Sequence, residues 1–246
     1  MKHKTLAVLC AVVLTAGMMT GCGQKTEDTK TESGSEKTVS DEMAEKAGFS
    51  DGTGEEVSDK EEASDAKDTK EAVLDTSKEL TGIHHAQINV KDYGEIQVEL
   101  DADTAPVTVT NFVKLAQEGF YDGLTFHRIM DGFMVQGGDP LGNGTGGSDE
   151  NIKGEFSNNG VENNISHTRG VISMARAMDD PDSASSQFFI VHEDSPFLDG
   201  DYAGFGHVTE GMDVVDAICK DAKPTDDNGT IKPEEQPVIE SITIVD

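Results

Sequence analysis

The sequence predicts a mainly β domain, a closed antiparallel barrel whose ends are capped by two α-helices. Eight short β-like runs follow one another closely, and loops rich in Gly, Asn and Asp separate most of them. Only two stretches have the apolar spacing of a helix. Parallel strands need a crossover, usually a helix, between them, so this ratio of strands to helices favours an antiparallel barrel over βαβ units.

The first 22 residues have the pattern of a secretory signal. A basic start, MKHK, precedes the apolar run TLAVLCAVVL, and small residues follow. The tetrapeptide MTGC, which ends at Cys22, resembles the bacterial lipobox, in which the cysteine is diacylated and residues 1–21 are removed. An ordinary signal peptide cut nearby is the alternative. Cys10 is lost with the signal, so acylation of Cys22 leaves Cys219 without an intramolecular disulfide partner.

Residues 22–82 are predicted to be a lipidated N-terminus followed by a disordered acidic linker. The stretch 23–82 holds 18 acidic residues, 8 basic residues and one aromatic, Phe49, so it cannot bury enough apolar surface to offset the entropy of ordering. The folded domain is expected to occupy 83–246. The chain carries −29, to which the linker contributes −10 and the signal +2, so the domain carries −21. This charge argues against nucleic acid and anionic lipid as partners.

The elements of the domain follow in order from Ile83. IHHAQINV and EIQVEL flank KDYG, which predicts a hairpin whose tight turn uses Gly94. The stretch DTAPVTVTNFVKLAQEG predicts a helix that begins near Pro106 and stops at Gly119. Four apolar residues recur at helical spacing between them: Val109, Phe112, Leu115 and Ala116. Further strands are predicted at LTFHRI, FMVQ, GVISMA, SQFFIV, GFGHV and VIESITIV, and a second helix at EGMDVVDAICK.

Three common kinds of site are not supported by motifs. The glycines of GNGTGG match a dinucleotide-binding pattern, but no helix follows them, so a flexible loop with positive φ is the better interpretation. The six histidines after the signal show no metal-ligand spacing, so metal catalysis is not expected. A triad of Ser173 or Ser186 with His127 or His167 lacks the GxSxG setting of a hydrolase nucleophile.

The stretch TFHRIMDGFMVQGGD places one cation, Arg128, in an apolar run that contains no nucleophile. In extended structure Met134 and Gln136 share a face, and so do Gln187 and Phe189. Each strand can therefore offer one amide and one large apolar group to the same surface. Core packing is the simpler role for any one of these apolar residues alone. Their combination with an arginine indicates a groove.

Several long segments carry a family resemblance over 83–246. APVTVTNFVKLAQEGFYDGLTFHRIMDGFMVQGGD, GTGG, HTRGVISMARA, SSQFFIVH and LDGDYAGFGHVTEGMDVVDAI occur in this order. They resemble the bacterial branch of the cyclophilins, which are peptidyl-prolyl cis–trans isomerases. The resemblance implies an eight-stranded antiparallel barrel closed by two helices. It also implies a monomer without cofactors that acts on extended, proline-containing polypeptides.

By motif, the resemblance implies that Arg128 in FHRI is the catalytic residue. It implies ten substrate-binding residues: Phe133, Met134, Gln136, Ala175, Arg176, Gln187, Phe189, Phe197, Leu198 and Tyr202. Phe133, Met134 and Phe189 would form the proline pocket. Ala175 lies where the family contacts the residue that precedes proline.

The same resemblance has three departures at the edge of the groove. Leu198 and Tyr202 complete the pocket rim, but Tyr202 stands where many eukaryotic members have histidine. Phe197 stands where they have tryptophan. Both changes bear on cyclosporin affinity more than on catalysis. Arg176 replaces a common asparagine whose backbone contacts the substrate, and an arginine backbone offers the same groups.

The expected function is isomerisation of Xaa-Pro bonds in exported or cell-surface proteins by a domain held at the membrane through a lipid on Cys22. The location is therefore outside the cytoplasm, with a Gram-positive surface preferred and the periplasmic face as the alternative. A chaperone-like peptide-binding module on the same fold is the second functional candidate. An envelope scaffold whose working part is the acidic linker is the third.

Overall fold

The computed structural model describes residues 71–246, which form one curled antiparallel sheet and two α-helices. The strands are β1 (Ile83–Val90), β2 (Gly94–Asp101), β3 (Phe126–Met130), β4 (Met134–Gly137), β5 (Val171–Met174), β6 (Phe188–Val191), β7 (Gly204–Glu210) and β8 (Ile239–Ile244). The helices are α1 (Pro106–Gln117) and α2 (Met212–Asp221). The predicted fold class is confirmed, and each predicted strand and helix is found where its pattern lies.

The sheet closes on itself through its two end strands. The strand order is β3-β4-β6-β5-β7-β2-β1-β8, so β3 and β8 are the ends. One isolated bridge, Thr125 with Val238, and a 2.9 Å hydrogen bond from Phe126 N to Pro237 O connect the segments beside them. The two edges of the curled sheet are therefore joined by a few hydrogen bonds beside the end strands, which leaves less of either edge open to pairing with other chains.

The β1–β2 hairpin follows from strand alternation and from its turn residues. The residues that point inward are almost fully buried: Ala86, Ile88, Val90, Ile96, Val98 and Leu100. The turn needs positive φ at Asp92 (65°) and Gly94 (124°), which aspartate tolerates better than most residues and glycine adopts without strain. The predicted hairpin and the role of Gly94 are confirmed.

A proline and a glycine determine where helix α1 begins and ends. Pro106 occupies the first turn, where its missing N–H costs nothing. The buried carboxylate of Glu155 accepts hydrogen bonds from Val107 N (3.0 Å) and Thr108 N (2.8 Å), so a distant side chain caps the helix. Gly119 has φ of 68° and stops it. The buried face of α1 packs against β8 and β2.

Residues 71–82, which the sequence assigns to the linker, lie against the domain. Ala72 N donates to Ile244 O at 2.8 Å, and Leu80 N donates to the hydroxyl of Thr110 at 2.8 Å. The end of the stretch assigned to the linker therefore has fixed contacts, because backbone hydrogen bonds to β8 and α1 hold a segment that its composition alone does not order.

The predicted signal, the lipidation site at Cys22 and the linker up to residue 70 lie outside the described residues. Within 71–246, no helix is long and apolar enough to cross a bilayer.

The glycine-rich loop after β4 is organised around the carboxylate of Asp139. This buried group accepts hydrogen bonds from the backbone N–H of Leu141 (2.8 Å), Asn143 (3.0 Å) and Gly144 (2.6 Å). Burial acts to raise the pKa of Asp139, but these hydrogen bonds outweigh it and hold the pKa below its usual value. The positive φ expected in this loop is present at Gly142 (60°) and Gly144 (87°).

His167 forms a second buried polar network. Its Nδ1 lies 2.8 Å from Asp199 Oδ1, and its Nε2 lies 3.0 Å from Ser173 Oγ. These partners fit a neutral ring that donates to Asp199 and accepts from the hydroxyl. Burial lowers the pKa of His167, while Asp199 acts in the opposite direction.

We expect Asp139→Ala to lower the free energy of unfolding by about 1–3 kcal/mol, because several backbone N–H groups lose a buried acceptor. Urea denaturation measures this change. Asp149→Ala is the matched control, since Asp149 is exposed and its carboxylate has no hydrogen-bond partner among the described residues. It should change the free energy by less than about 0.5 kcal/mol. Equal losses in the two variants would contradict the assigned role of Asp139.

We expect stability to fall as the pH drops below about 6.5, because unfolded histidine binds a proton there and folded His167 resists it. A histidine with a lowered folded pKa contributes its full stability above the unfolded pKa and loses it as the pH falls toward the folded pKa. NMR titration of the His167 ring, together with unfolding measurements between pH 5 and 8, tests this. A His167 ring that titrates at or above the unfolded value would contradict it.

Candidate active site

A cavity of about 390 Å³ opens between the β3–β4 hairpin and the loops that follow β5 and β6. Nine of the eleven catalytic and substrate-binding residues predicted from the sequence line it: Arg128, Phe133, Met134, Gln136, Ala175, Arg176, Phe189, Leu198 and Tyr202. The structure thus brings together side chains that lie up to 74 residues apart in the sequence.

The other two predicted residues lie beside this cavity. Gln187 lines a neighbouring cavity of about 230 Å³, accepts a hydrogen bond from Gln136 Nε2 at 2.9 Å and donates to Gly146 O at 2.7 Å. Phe197 does not line the cavity. Its ring is 68% exposed and packs against the ring of Phe133 at a centroid distance of 5.4 Å. Phe197 therefore extends the apolar surface at the rim of the cavity, and its role in substrate binding stays a prediction.

Strand register brings the amides, the cation and the apolar groups together. In the β3–β4 pair Arg128 is opposite Gln136, and in the β4–β6 pair Gln136 is opposite Phe189. Directly opposite residues of an antiparallel pair point to the same face. The shared surface inferred from the sequence is therefore found, with Gln136 between the arginine and the phenylalanine.

The Arg128 guanidinium is held on two sides by oxygen acceptors. Nη1 donates to Gln136 Oε1 at 3.0 Å, and Nε donates to the backbone oxygen of Asn228 at 2.7 Å. Nη2 faces the sulfur of Met130 at 3.4 Å, a weak acceptor. The guanidinium carbon also lies 5.9 Å from the centre of the Phe133 ring. N–H groups that face only sulfur or the cavity are free to bind a ligand.

Electrostatics at Arg128 reflect its half-buried position. Burial lowers the pKa of Arg128, whereas Tyr202 and Asp226 act in the opposite direction. Arginine retains its charge better than any other basic side chain when it is partly removed from water. The groove therefore presents a partly desolvated cation, whose interactions with a ligand are stronger than they are in bulk water.

The floor of the cavity is a small apolar cluster separate from the main core. Met134, Phe189 and Leu198 are 1%, 4% and 7% exposed, and they pack together with Val171 and Val191. The Phe189 ring meets Tyr202 edge-on at 5.9 Å and stacks on His167 at 6.1 Å. These contacts restrict the rotamers of the floor, so an apolar pocket exists before any ligand arrives.

Arg176 supports one wall of the cavity through its side chain. Its guanidinium carbon lies 4.9 Å from the centre of the Tyr202 ring and 5.1 Å from that of Phe156. Its Nε donates to Asp201 O at 2.8 Å, and Nη1 donates to Ala177 O at 2.8 Å. These bonds tie the segment after β5 to the segment before β7, which gives the wall a fixed shape.

Six residues around the cavity were not predicted from the sequence: His127, Asn143, Gly144, Met178, Asn228 and Thr230. His127 is 3% exposed, and within the described residues neither of its ring nitrogens has a hydrogen-bond partner. Burial lowers the pKa of His127, and Asp139 acts in the opposite direction. In the sequence, only the position next to Arg128 points to His127 as a site residue. Nothing in the sequence points to Asn228 or Thr230.

The arrangement of Ser173, His167 and Asp199 has the order of a hydrolase triad. The Ser173 side chain is 0% exposed, so no substrate carbonyl can reach its hydroxyl. The network is therefore a packing feature under the cavity floor, and the hydrolase interpretation set aside from the sequence gains no support.

Sequence spacing did not reveal one cluster of potential metal ligands. It consists of Asp131, His192 and Cys219, whose ligand atoms lie within 4.8 Å of one another. Both ring nitrogens of His192 already have partners, Gly132 N and Asp216 Oδ1, each at 3.0 Å. Burial, with a smaller contribution from Asp131, raises the pKa of the Cys219 thiol to about 12. An ion would have to displace a hydrogen bond and a tightly held proton, so this cluster fits a metal poorly.

Comparisons with known proteins agree with this geometry. Residues 85–244 match the family model described as cyclophilin type peptidyl-prolyl cis-trans isomerase. Peptidyl-prolyl cis-trans isomerase B of Bacillus subtilis is 50% identical over 124 residues, which cover 50% of this chain and 82% of the relative. A peptidyl-prolyl cis-trans isomerase of Helicobacter pylori is 49% identical over 127 residues, which cover 51% of this chain and 74% of the relative.

Solved structures support the same assignment. The crystal structure of a cyclophilin type peptidyl-prolyl cis-trans isomerase from Cryptosporidium parvum superposes with a TM-score of 0.59 at 29% identity. The match covers 66% of this chain and 98% of that protein. A second crystal structure of that protein, in the presence of the dipeptide Ala-Pro, superposes with a TM-score of 0.57 at 30% identity. With the fold, the arginine beside an apolar pocket and the family match in agreement, the chain belongs to the cyclophilin-type peptidyl-prolyl cis-trans isomerases.

Proposed function

We propose that the domain isomerises Xaa-Pro bonds in extended segments of exported or cell-surface proteins. The observation that carries the catalytic part is the fixed guanidinium of Arg128 at the edge of a preformed apolar pocket. One similar protein was crystallised in the presence of the dipeptide Ala-Pro, which supports a proline-containing substrate. The predicted signal at the N-terminus supports clients outside the cytoplasm.

The reaction needs a cation and no nucleophile, because no bond is made or broken. Resonance gives the peptide bond a rotational barrier of ~18–20 kcal/mol, and only bonds before proline populate the cis form appreciably. Twisting the bond removes the resonance and leaves the proline nitrogen more basic. An N–H of Arg128 directed at that nitrogen stabilises the twisted state more than either planar state, which lowers the barrier.

The groove supplies the orientation for this rotation. Phe133, Met134 and Phe189 grip the proline ring, while Gln136 and the backbone near Ala175 hold the flanking peptide groups. One side of the bond is then fixed while the other side turns. A reduction of the barrier by ~7 kcal/mol accelerates rotation by about five decades, within reach of one charged donor combined with orientation.

The second candidate is a chaperone-like module that holds extended chains without useful turnover. The same apolar pocket and exposed Phe197 ring serve that role. The arginine favours the isomerase, since apolar binding alone does not require a cation held by two acceptors.

We expect Arg128→Ala to reduce kcat/KM for an Xaa-Pro peptide by about 10²–10³-fold, because the donor to the proline nitrogen is lost. NMR exchange spectroscopy of a short peptide measures the rate. Arg169→Ala is the matched control, since it removes the same charge from a side chain bonded to Asp216, outside the cavity. It should leave the rate within about twofold.

Two outcomes of this experiment would count against the proposal. Equal rates for wild type and Arg128→Ala would show that Arg128 is not the catalytic donor. Peptide binding by the wild type without any acceleration would favour the chaperone-like module.

The lipid anchor is proposed on the sequence alone. The MTGC tetrapeptide supports acylation of Cys22 and retention at the outer face of the cytoplasmic membrane, where newly exported chains emerge. Slow proline isomers delay the folding of such chains by tens of seconds, so an isomerase at this place is useful.

We expect Cys22→Ala to abolish incorporation of radiolabelled palmitate in bacterial cells and to release the protein from the membrane fraction. Cys219→Ala is the matched control, because Cys219 is buried in α2 and should not affect labelling. Labelling that survives in Cys22→Ala would show that the lipobox interpretation is wrong.

A further inference from the structure

The 225–230 loop, which lies between α2 and β8, borders the site along the outer edge of β3. Ile129 N donates to Gly229 O at 2.8 Å, and Arg128 forms an isolated antiparallel bridge with Thr230. The loop thus gives β3 a partner on the side away from β4. It meets β3 at the residue that carries the guanidinium, so its position and that of Arg128 are coupled.

The loop also contacts the Arg128 side chain directly. The backbone oxygen of Asn228 accepts a hydrogen bond from Nε at 2.7 Å, and Gln136 Oε1 accepts one from Nη1 at 3.0 Å. Because the guanidinium is planar, acceptors at two of its nitrogens fix both its position and the orientation of its plane. Loss of the Asn228 oxygen would leave a single oxygen acceptor and free the plane to rotate.

The carboxylate of Asp226 holds the loop in the shape that directs this oxygen. Oδ1 accepts hydrogen bonds from Asn228 N and Thr230 N, each at 3.0 Å, and Oδ2 accepts one from Thr230 Oγ1 at 2.9 Å. Asp226 therefore binds the residue that carries the oxygen and the residue that bridges to β3. Its own side chain does not line the cavity.

Gly229 allows the loop to approach β3 closely. It has φ of 83°, and a Cβ at this position would lie 2.5 Å from Met130 Cγ and 2.6 Å from Ile129 O. Only glycine fits there without moving the strand. The close approach and the Asp226 hydrogen bonds thus support the loop shape in which the Asn228 oxygen faces Nε.

We propose that Asp226 is a positioning residue for Arg128, which acts by fixing the 225–230 loop so that the Asn228 carbonyl sets the plane of the guanidinium. This inference rests on the proposed function, because the plane matters for a donor that must meet the nitrogen of a twisted Xaa-Pro bond. The substrate does not contact Asp226. Its effect is on the rate of rotation and not on the affinity for the planar peptide.

Three variants of the full-length chain test the proposal. Asp226→Ala removes all three side-chain hydrogen bonds and one negative charge. Asp227→Ala removes the same charge from the next residue, which is exposed and has no side-chain hydrogen bond among the described residues. Asp226→Asn removes the charge and keeps an oxygen that can accept from both backbone N–H groups.

We expect Asp226→Ala to lower kcat about tenfold with KM within about twofold of wild type, because a misdirected donor weakens the twisted state more than the bound ground state. Asp227→Ala should leave both constants unchanged, and Asp226→Asn should retain more than about half of kcat. The temperature of unfolding should remain well above the assay temperature in all three, since Asp226 and Asp227 are exposed.

Three results would overturn the proposal, and each rejects a different part of it. Equal kcat for Asp226→Ala and Asp227→Ala rejects a role for the loop hydrogen bonds. A similar loss in Asp226→Asn and Asp226→Ala shows that the charge acts, not the geometry. A raised KM with unchanged kcat shows that the loop serves only as a wall of the groove.

A spectroscopic measurement separates this inference from the proposed function. Hydrogen exchange of the Arg128 Nε proton is slowed by its bond to Asn228, and nitrogen-15 NMR follows it without any substrate. We expect faster exchange in Asp226→Ala and no change in Asp227→Ala. If Arg128→Ala leaves isomerisation unaffected, the proposed function fails, yet this measurement still decides whether Asp226 orients the guanidinium. Identical exchange in wild type and Asp226→Ala rejects the positioning role by itself.

Discussion

The antiparallel register of β4 with β3 and β6 is the constraint on which the site depends. It places Gln136 opposite Arg128 on one side and opposite Phe189 on the other. A shift of β4 by one residue would turn Gln136 to the opposite face of the sheet and separate the cation from the apolar floor. The buried faces of the neighbouring strands prevent that shift, so the stability of the sheet and the geometry of the site share one cause.

Satisfied polar groups give the groove its shape where regular secondary structure ends. Asp139 gathers the N–H groups of the loop after β4, His167 joins Ser173 to Asp199 under the floor, and Arg176 ties two wall segments together. Such networks rigidify loops only when every member has its partners. A groove formed in advance lowers the ordering cost of binding and leaves more of the binding free energy for the twisted peptide.

Local patterns were sufficient for the elements and for most of the groove. Pro106 and Gly119 bracket α1, and alternation along β4 and β6 places amide and apolar side chains on one face, because both signals lie within a few residues of sequence. The sequence does not show where the Phe197 ring lies, since its neighbours in the sequence do not record whether the ring enters the cavity or packs at its rim. The sequence does not show that Ala72 packs against the domain for a related reason: its hydrogen bond reaches Ile244.

The sequence by itself determined the strands, the helices, the family and the residue types that the groove displays, because strand and helix periods are local and set which side chains share a face. Only the tertiary structure decided what holds the arginine. The Asn228 oxygen that meets Arg128 comes from a loop 100 residues further along the chain, brought there by the curl of the sheet and by the hydrogen bonds of Asp226. No period or spacing encodes a contact of that range, since it depends on how the whole sheet closes.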